Sequence, residues 1–158
     1  MNRDLVTRIE LDTLIHSYIS VLDNDRLEEW PEFFLEECLY EIIPKENHDA
    51  GFPAPVIHCS NRRMLRDRVI SLRHANVFAP VTYRHMISGM VWSWHEDDTI
   101  AMSSSYVVVA TSQDGESGVY QAGRYIDRVV RTEAGWRFRE KRVVYDTLRV
   151  QTLLAIPI

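Results

Sequence analysis

The stretch LDNDRLEEWPEFFLEECLYEI, Leu22 to Ile42, decides the fold class. Asp25 followed by Glu28 is an acidic form of the capping box, so a second helix is predicted to start here, its free N–H groups met by side-chain oxygens. Pro31 suits a first helical turn and disfavours helix at Trp30 before it. Phe33 and Phe34 add apolar weight. Cys38, Tyr40 and Ile42 then alternate with Leu39, Glu41 and Ile43, which is the period of a strand. A helix end, a short aromatic helix and a first strand in succession open an α+β arrangement, and most of these side chains read as a core corner.

Upstream, Leu11, Leu14, Ile15, Tyr18 and Leu22 recur every three or four residues, giving one apolar stripe on a first helix over residues 4–23. Downstream, residues 44–60 hold three prolines and a glycine without a sustained period, so a long connection is expected. Asn61 can cap the next helix, in which Met64, Leu65, Val69 and Leu72 line one side up to the Ala79-Pro80 boundary.

From Thr82 the period falls to two. Met86, Met90, Trp92 and Trp94 are predicted to share one face of a long strand. Glu96, Asp97 and Asp98 make a turn before TIAMSSSYVVVATS, and Asp114-Gly115 marks the next reversal. VYQAGRYIDRVVRT and WRFREKRVVYDTLRV flank Glu133-Ala134-Gly135 as a hairpin with long arms. Four consecutive strands imply an antiparallel meander, with Gly89 and Gly123 as places for bulges or curvature. Helices that precede such a run belong on one face, the concave one, of a curved sheet.

The chain has 158 residues, 46% of them hydrophobic and 26% charged, enough for one substantial core, and residues 1–158 are expected to form a single domain. No apolar run approaches the ~20 residues of a membrane span, and MNRDLVTRIELD lacks an apolar signal core, so a cytoplasmic location without membrane partners is expected. A formal net charge of −5 opposes attraction to nucleic-acid phosphates. The basic run Arg62, Arg63, Arg66, Arg68 and Arg73 is interrupted by Asp67 and reads as a solvated or subunit-contacting face. Cys38 and Cys59 are too few for a disulfide framework and are expected as free thiols.

Taken together, the Glu29-Trp30 helix with Phe33 and Phe34, MLRDRVISLRHAN, Tyr83-Arg84-His85, YQAGRYIDRVVRTEAGWRFREKRVVYD and the ending TLLAIPI resemble the small (beta) subunits of bacterial aromatic-ring-hydroxylating dioxygenases. The resemblance covers nearly the whole chain. It implies the curved antiparallel sheet with N-terminal helices on its concave face, a cone shared with nuclear transport factor 2 and scytalone dehydratase. Within the family, EEWPEFFLEECLY, MLRDRVISLRHANVF and TLLAIPI look most like the terephthalate dioxygenase branch. Near the third strand the family pattern has a proline, a serine and two arginines before the histidine, and APVTYRHMISGM retains Pro80, Arg84 and His85 from it.

What the resemblance implies is a noncatalytic structural subunit, held with other copies of itself in a trimer and with a large (alpha) subunit as α3β3. The large subunit would carry a Rieske 2Fe-2S cluster and a mononuclear iron, and a reductase would deliver electrons. The whole oxidoreductase would cis-dihydroxylate an aromatic carboxylate such as terephthalate, with no catalytic, cofactor-binding or metal residue in this chain. The residues agree, since a Rieske cluster needs paired Cys-x-His and Cys-x-x-His motifs that are lacking here, and no two-histidine, one-carboxylate set has convincing spacing.

Three other readings stand beside this one. His48, Asp49, His58 and Cys59 are capable metal ligands, although a Pro-rich connection without a second close pair favours incidental spacing. A stand-alone dehydratase or isomerase could use His85 as general base, Tyr18, Tyr40 or Tyr106 to polarise a carbonyl and Asp23 to orient the base. A small-ligand-binding module is the third. Arg84-His85 could tie subunits together or form an internal pair, and Trp92 with Trp94 could face a contact surface or the core, Trp30 and Trp136 lying elsewhere. Asp127 and Asp146 are expected in internal pairs with Arg128, Arg142 or Arg149. Asp114-Gly115-Glu116-Ser117-Gly118 lacks the lysine and helix start of a phosphate loop and is a turn.

Overall fold

The computed structural model describes residues 2–75, 80–146 and 156–158. Helix α1 spans Arg3–Asp23, its first N–H groups met by Asn2, whose Oδ1 accepts from the Asp4 amide. It buries Leu11, Leu14, Ile15, Tyr18 and Leu22, the predicted stripe. A 3₁₀ helix, Leu27–Phe33, follows, then strands β1 (Phe34–Pro44) and β2 (Ile57–Asn61), helix α3 (Arg62–His74) and the long strands β3 (Val81–Trp94), β4 (Ile100–Ser112), β5 (Ser117–Thr132) and β6 (Gly135–Tyr145). The connection between β1 and β2 holds a short helix, α2, over Lys45–Asp49. Residues 44–60 are therefore not one long loop; Ile57 to Asn61 are too short a run for periodicity to register, and their order comes from pairing with β1.

The six strands form one sheet in the order β2-β1-β6-β5-β4-β3. β3 to β6 are the expected meander. β1 differs, since it enters beside β6 in parallel, with Tyr40 opposite Lys141 and Ile42 opposite Val143. β6 ends at Tyr145, Asp146 follows outside any strand, and residues 147–150 of WRFREKRVVYDTLRV lie outside the described residues, as does the Ala79 side of the helix boundary.

The 3₁₀ helix corrects the capping expectation. Asp25 has φ +56°, and no side chain caps the helix, whose flanking residue is Arg26. Pro31 sits inside it rather than in a first turn. Asp25 and Glu28 instead hold the Arg73 guanidinium of α3, with Nη1 2.9 Å from Asp25 and Nε 2.7 Å from Glu28. The guanidinium fork meets both carboxylates through charge-assisted hydrogen bonds.

The basic run on α3 is correspondingly not a bare solvated face. Arg66 donates to Glu32 at 2.9 Å, and Arg62 reaches Glu36 at 2.7 Å and the Phe34 carbonyl. Asn61 caps α3 as expected, accepting from the Met64 amide at 2.9 Å.

Gly89 changes which side chains β3 sends inward. The register slips between Ser88 and Val91, and Gly89 has φ +63°. A bulge inserts one residue and so inverts the alternation. His85 before it and Met90 after it are both buried, whereas Met86 is 53% exposed and does not share the face of Met90, Trp92 and Trp94. Gly123 serves a different purpose, because a Cβ there would lie 2.0 Å from the Val144 carbonyl oxygen. It permits close approach of β6 and is not itself at a register shift.

Candidate functional site

The inward faces of the strands meet the helices in a core that is aromatic at one end and polar along one wall. Trp30, Phe34, Tyr40 and Phe138 are fully buried, and Trp30 packs edge-on to Tyr40 with ring centres 5.0 Å apart. Such contacts add about 0.5–1.5 kcal/mol each beyond area burial. Phe33 packs on Tyr18 at 5.6 Å, so the aromatic segment fastens α1 to the sheet as scaffold.

His85, Val108 and Gln121 lie side by side across β3, β4 and β5. At the end of α1, Asp23 receives the His85 ring Nδ1 at 2.6 Å and the His85 backbone N–H at 3.0 Å. Sequence reading paired these two residues, and the fold joins them across 62 positions. The Tyr106 hydroxyl donates to Gln121 at 2.6 Å, and the Tyr106 ring stacks on Tyr125 at 4.6 Å. Burial pushes the Tyr106 and Tyr125 hydroxyls well above the ordinary tyrosine range, so both are protonated donors. Among the described residues, His85 Nε2, Tyr125 Oη and Tyr145 Oη are the buried side-chain polar atoms without a partner.

The other two tyrosines proposed to polarise a carbonyl are engaged. Tyr18 Oη donates to the Ile158 carbonyl at 2.9 Å and accepts from the Trp30 indole at 3.0 Å. Tyr40 Oη lies 3.2 Å from the same carbonyl and accepts the Ile158 amide at 3.0 Å. No periodicity in the sequence signals this role for Ile158.

Asp127 and Lys141 form a second buried pair. They are opposite one another in the β5–β6 register, and Nζ lies 3.1 Å from Oδ2. This corrects the expectation of an arginine partner. Arg128 points to the other face and donates to Thr99, while Arg142 binds Glu41 and Glu140. Arg149 lies outside the described residues, and Asp146 is exposed, its backbone N–H donating to the Ala122 carbonyl. Lys141 Nζ also lies over the rings of Tyr125 and Phe138, at 3.6 and 4.5 Å, where the ring faces favour a cation.

The loop set disperses. Asp49 pairs with Lys45 and Arg124, His58 faces Glu41 at 3.4 Å, and Cys59 is buried. Among the described residues no group of three or more His, Cys, Asp or Glu side chains is arranged to hold a metal ion. Cys38 and Cys59 are free thiols, as expected, and burial pushes Cys38 up to about 11. Arg84 is exposed while His85 is buried, so the two do not act as a pair. Trp92 and Trp94 pack edge-on at 6.2 Å and join the core from its rim, and Trp136, expected elsewhere, reaches Trp94 at 6.0 Å.

The face of the sheet away from α1 and α3 is different in character, and Asp49 of α2 pairs with Arg124 on it. Val91, Ser103, Ile126, Arg142, Glu41 and His58 form one row from edge to edge through successive registers. Val91 is 63% exposed, and a groove of about 480 Å³ is lined by Val91, Ser103, Ile126 and Arg142 of this row.

A family model described as a SnoaL-like domain matches residues 3–142. The chain is 58% identical to the anthranilate 1,2-dioxygenase small subunit of Burkholderia cepacia, over 100% of this chain and 98% of that one. It is 30% identical to a terephthalate 1,2-dioxygenase terminal oxygenase component subunit beta of Comamonas sp., over 98% and 100%. Among solved structures, a beta subunit assigned to an aromatic-ring-hydroxylating dioxygenase of Novosphingobium aromaticivorans superposes with a TM-score of 0.91 at 41% identity, covering 99% of this chain and 100% of that one. A protein of the same organism assigned as a scytalone dehydratase shares the fold, with a TM-score of 0.73 at 17% identity and coverage of 94% and 91%.

Proposed function

Because this chain belongs to the SnoaL-like domain family, and within it to the small subunits of aromatic-ring dioxygenases, we propose that it is a noncatalytic scaffold for a large subunit that carries the chemistry. The observation that carries this reading is identity of 58% along the full length of a dioxygenase small subunit. The interior supports it. Tyr18 and Tyr40 are bonded to the chain itself, and Asp127 is bonded to Lys141. Residues 1–158 act as one cone-like domain, a reading supported by the continuous sheet from β2 to β3.

In this proposal a Rieske cluster and a mononuclear iron reside in the large subunit, a reductase feeds it, and three copies of each subunit assemble in the cytoplasm. The outer sheet face, with Met86 and Val91 exposed, provides surface for that assembly. A repeated contact closes into a ring when its rotation is a third of a turn. The substrate of the whole enzyme is an aromatic carboxylate, and the greater identity to the anthranilate relative favours anthranilate over terephthalate.

Coexpression with a large subunit bearing Rieske motifs tests this directly. The two chains should copurify with ring-hydroxylating activity, and the small chain alone should hold no stoichiometric iron. Failure to associate would refute the scaffold role.

A second reading rests on the Asp23–His85 contact, which is the geometry of an oriented base. It requires the isolated chain to dehydrate or isomerise a small alcohol or ketone, with His85→Ala abolishing turnover at unchanged stability. The scaffold reading requires that any folded His85 variant still support activity of the assembled enzyme.

A further inference from the structure

The Ile156-Pro157-Ile158 segment belongs to no helix or strand, yet Pro157 and Ile158 are buried and Ile158 is 0% exposed. Its backbone is read at both ends of one residue. Tyr40 Oη accepts the Ile158 N–H and lies within hydrogen-bonding reach of its carbonyl, and Tyr18 Oη donates to that carbonyl. The Trp30 indole N–H occupies the acceptor side of Tyr18, which leaves the Tyr18 hydrogen for the carbonyl. Tyr18 comes from α1, Tyr40 from β1 and Trp30 from the 3₁₀ helix, so the donors are positioned by packed elements independently of the segment. Tyr125, fully buried with its ring 6.4 Å from that of Tyr18, has an unpartnered hydroxyl on the same interior wall.

We propose that Tyr18 and Tyr40 form a main-chain-binding site inside the cone, that the chain's own Ile156-Pro157-Ile158 is its resident ligand, and that the emptied site takes a short apolar acyl compound in its place. The chemistry it selects is an apolar body next to a carbonyl or carboxylate oxygen, with an amide N–H beside it. Pro157 restricts the segment before it binds, which lowers the ordering cost and makes a tripeptide a sufficient probe.

The test compares the 158-residue chain with a variant lacking residues 156–158, using N-acetyl-Ile-Pro-Ile as the added ligand. The shortened chain should melt lower, bind the tripeptide saturably at one per chain and regain its melting temperature, while the full chain binds none. Tyr40→Phe in the shortened chain should weaken that binding at least tenfold. A shortened chain that melts with the full one, or that folds and leaves the tripeptide unbound, overturns the proposal. Where the shortened chain does not fold, Tyr40→Phe in the full chain decides. Exchange of the Ile158 amide hydrogen should accelerate at least tenfold with the rest of the protection pattern intact, and unchanged protection overturns the proposal.

Discussion

Lys141 Nζ lies 3.1 Å from Asp127 Oδ2 with neither side chain exposed, so the centre of the sheet holds an ion pair sealed from water. Burial disfavours both charges more than their contact favours them, raising Asp127 to about 6 and lowering Lys141. Lys141→Met leaves a buried carboxylate without its cation and should cost about 3–5 kcal/mol in urea unfolding. The double change Asp127→Leu with Lys141→Met should recover most of that loss, because two apolar groups need no partner there.

The same pair has a pH signature. A carboxyl held above its usual 3.8 binds its proton more tightly in the folded chain, so unfolding releases protons between about 4 and 6. Its contribution to stability is therefore present at low pH and declines as pH rises through about 6. Carboxyls lowered by hydrogen bonds, such as Glu10 beside Trp136, act in the opposite sense. Subtracting the urea-derived stability profile of Asp127→Asn from that of the parent should expose the falling component.

Two glycines should respond differently to alanine. Gly123→Ala places a methyl group 2.0 Å from the Val144 carbonyl oxygen, and the backbone must move, at about 3 kcal/mol or more. Gly89→Ala meets nothing within 4 Å and bears only the left-handed backbone at φ +63°, about 1–2 kcal/mol. Chemical denaturation of both variants measures the difference.

Asp97, in the turn before β4, accepts from the Thr99 hydroxyl at 2.5 Å and amide at 3.3 Å and from Arg139 at 3.2 Å. The Thr99 hydroxyl bond leads in holding its carboxyl down to about 2. Carboxyl chemical shifts should titrate there in the parent and move upward in Thr99→Val. The stabilising effect of this turn is present above the ordinary carboxylate range and is lost as pH falls toward 2.

Local patterns in the chain carried much of the fold. The stripe on α1, the cap at Asn61, the four long strands and their polar turns are written within windows of a dozen residues, and each is bordered by its own stop signal. The Asp23–His85 contact was also legible as a candidate, since both residue types suit an oriented base. Motif order along the whole chain pointed to the dioxygenase small subunits, where 58% identity to the anthranilate relative places it.

Other features depend on distance along the chain. Parallel pairing of β1 with β6, the bulge that turns Met86 outward, and the acidic seats of Arg62, Arg66 and Arg73 require partners from remote segments. The choice of Lys141 over an arginine for Asp127 follows from the β5–β6 register, which sends Arg128 and Arg142 to the opposite face. Ile158 finds Tyr18 and Tyr40 across 140 and 118 positions. Sequence by itself determined the longer elements, α1, α3 and β3 to β6, because backbone period and capping are short-range properties, whereas β2 took its order from pairing with β1. Tertiary structure alone decided which polar groups are sealed together in the interior, because a buried donor or acceptor must take whatever partner the packing of distant elements delivers.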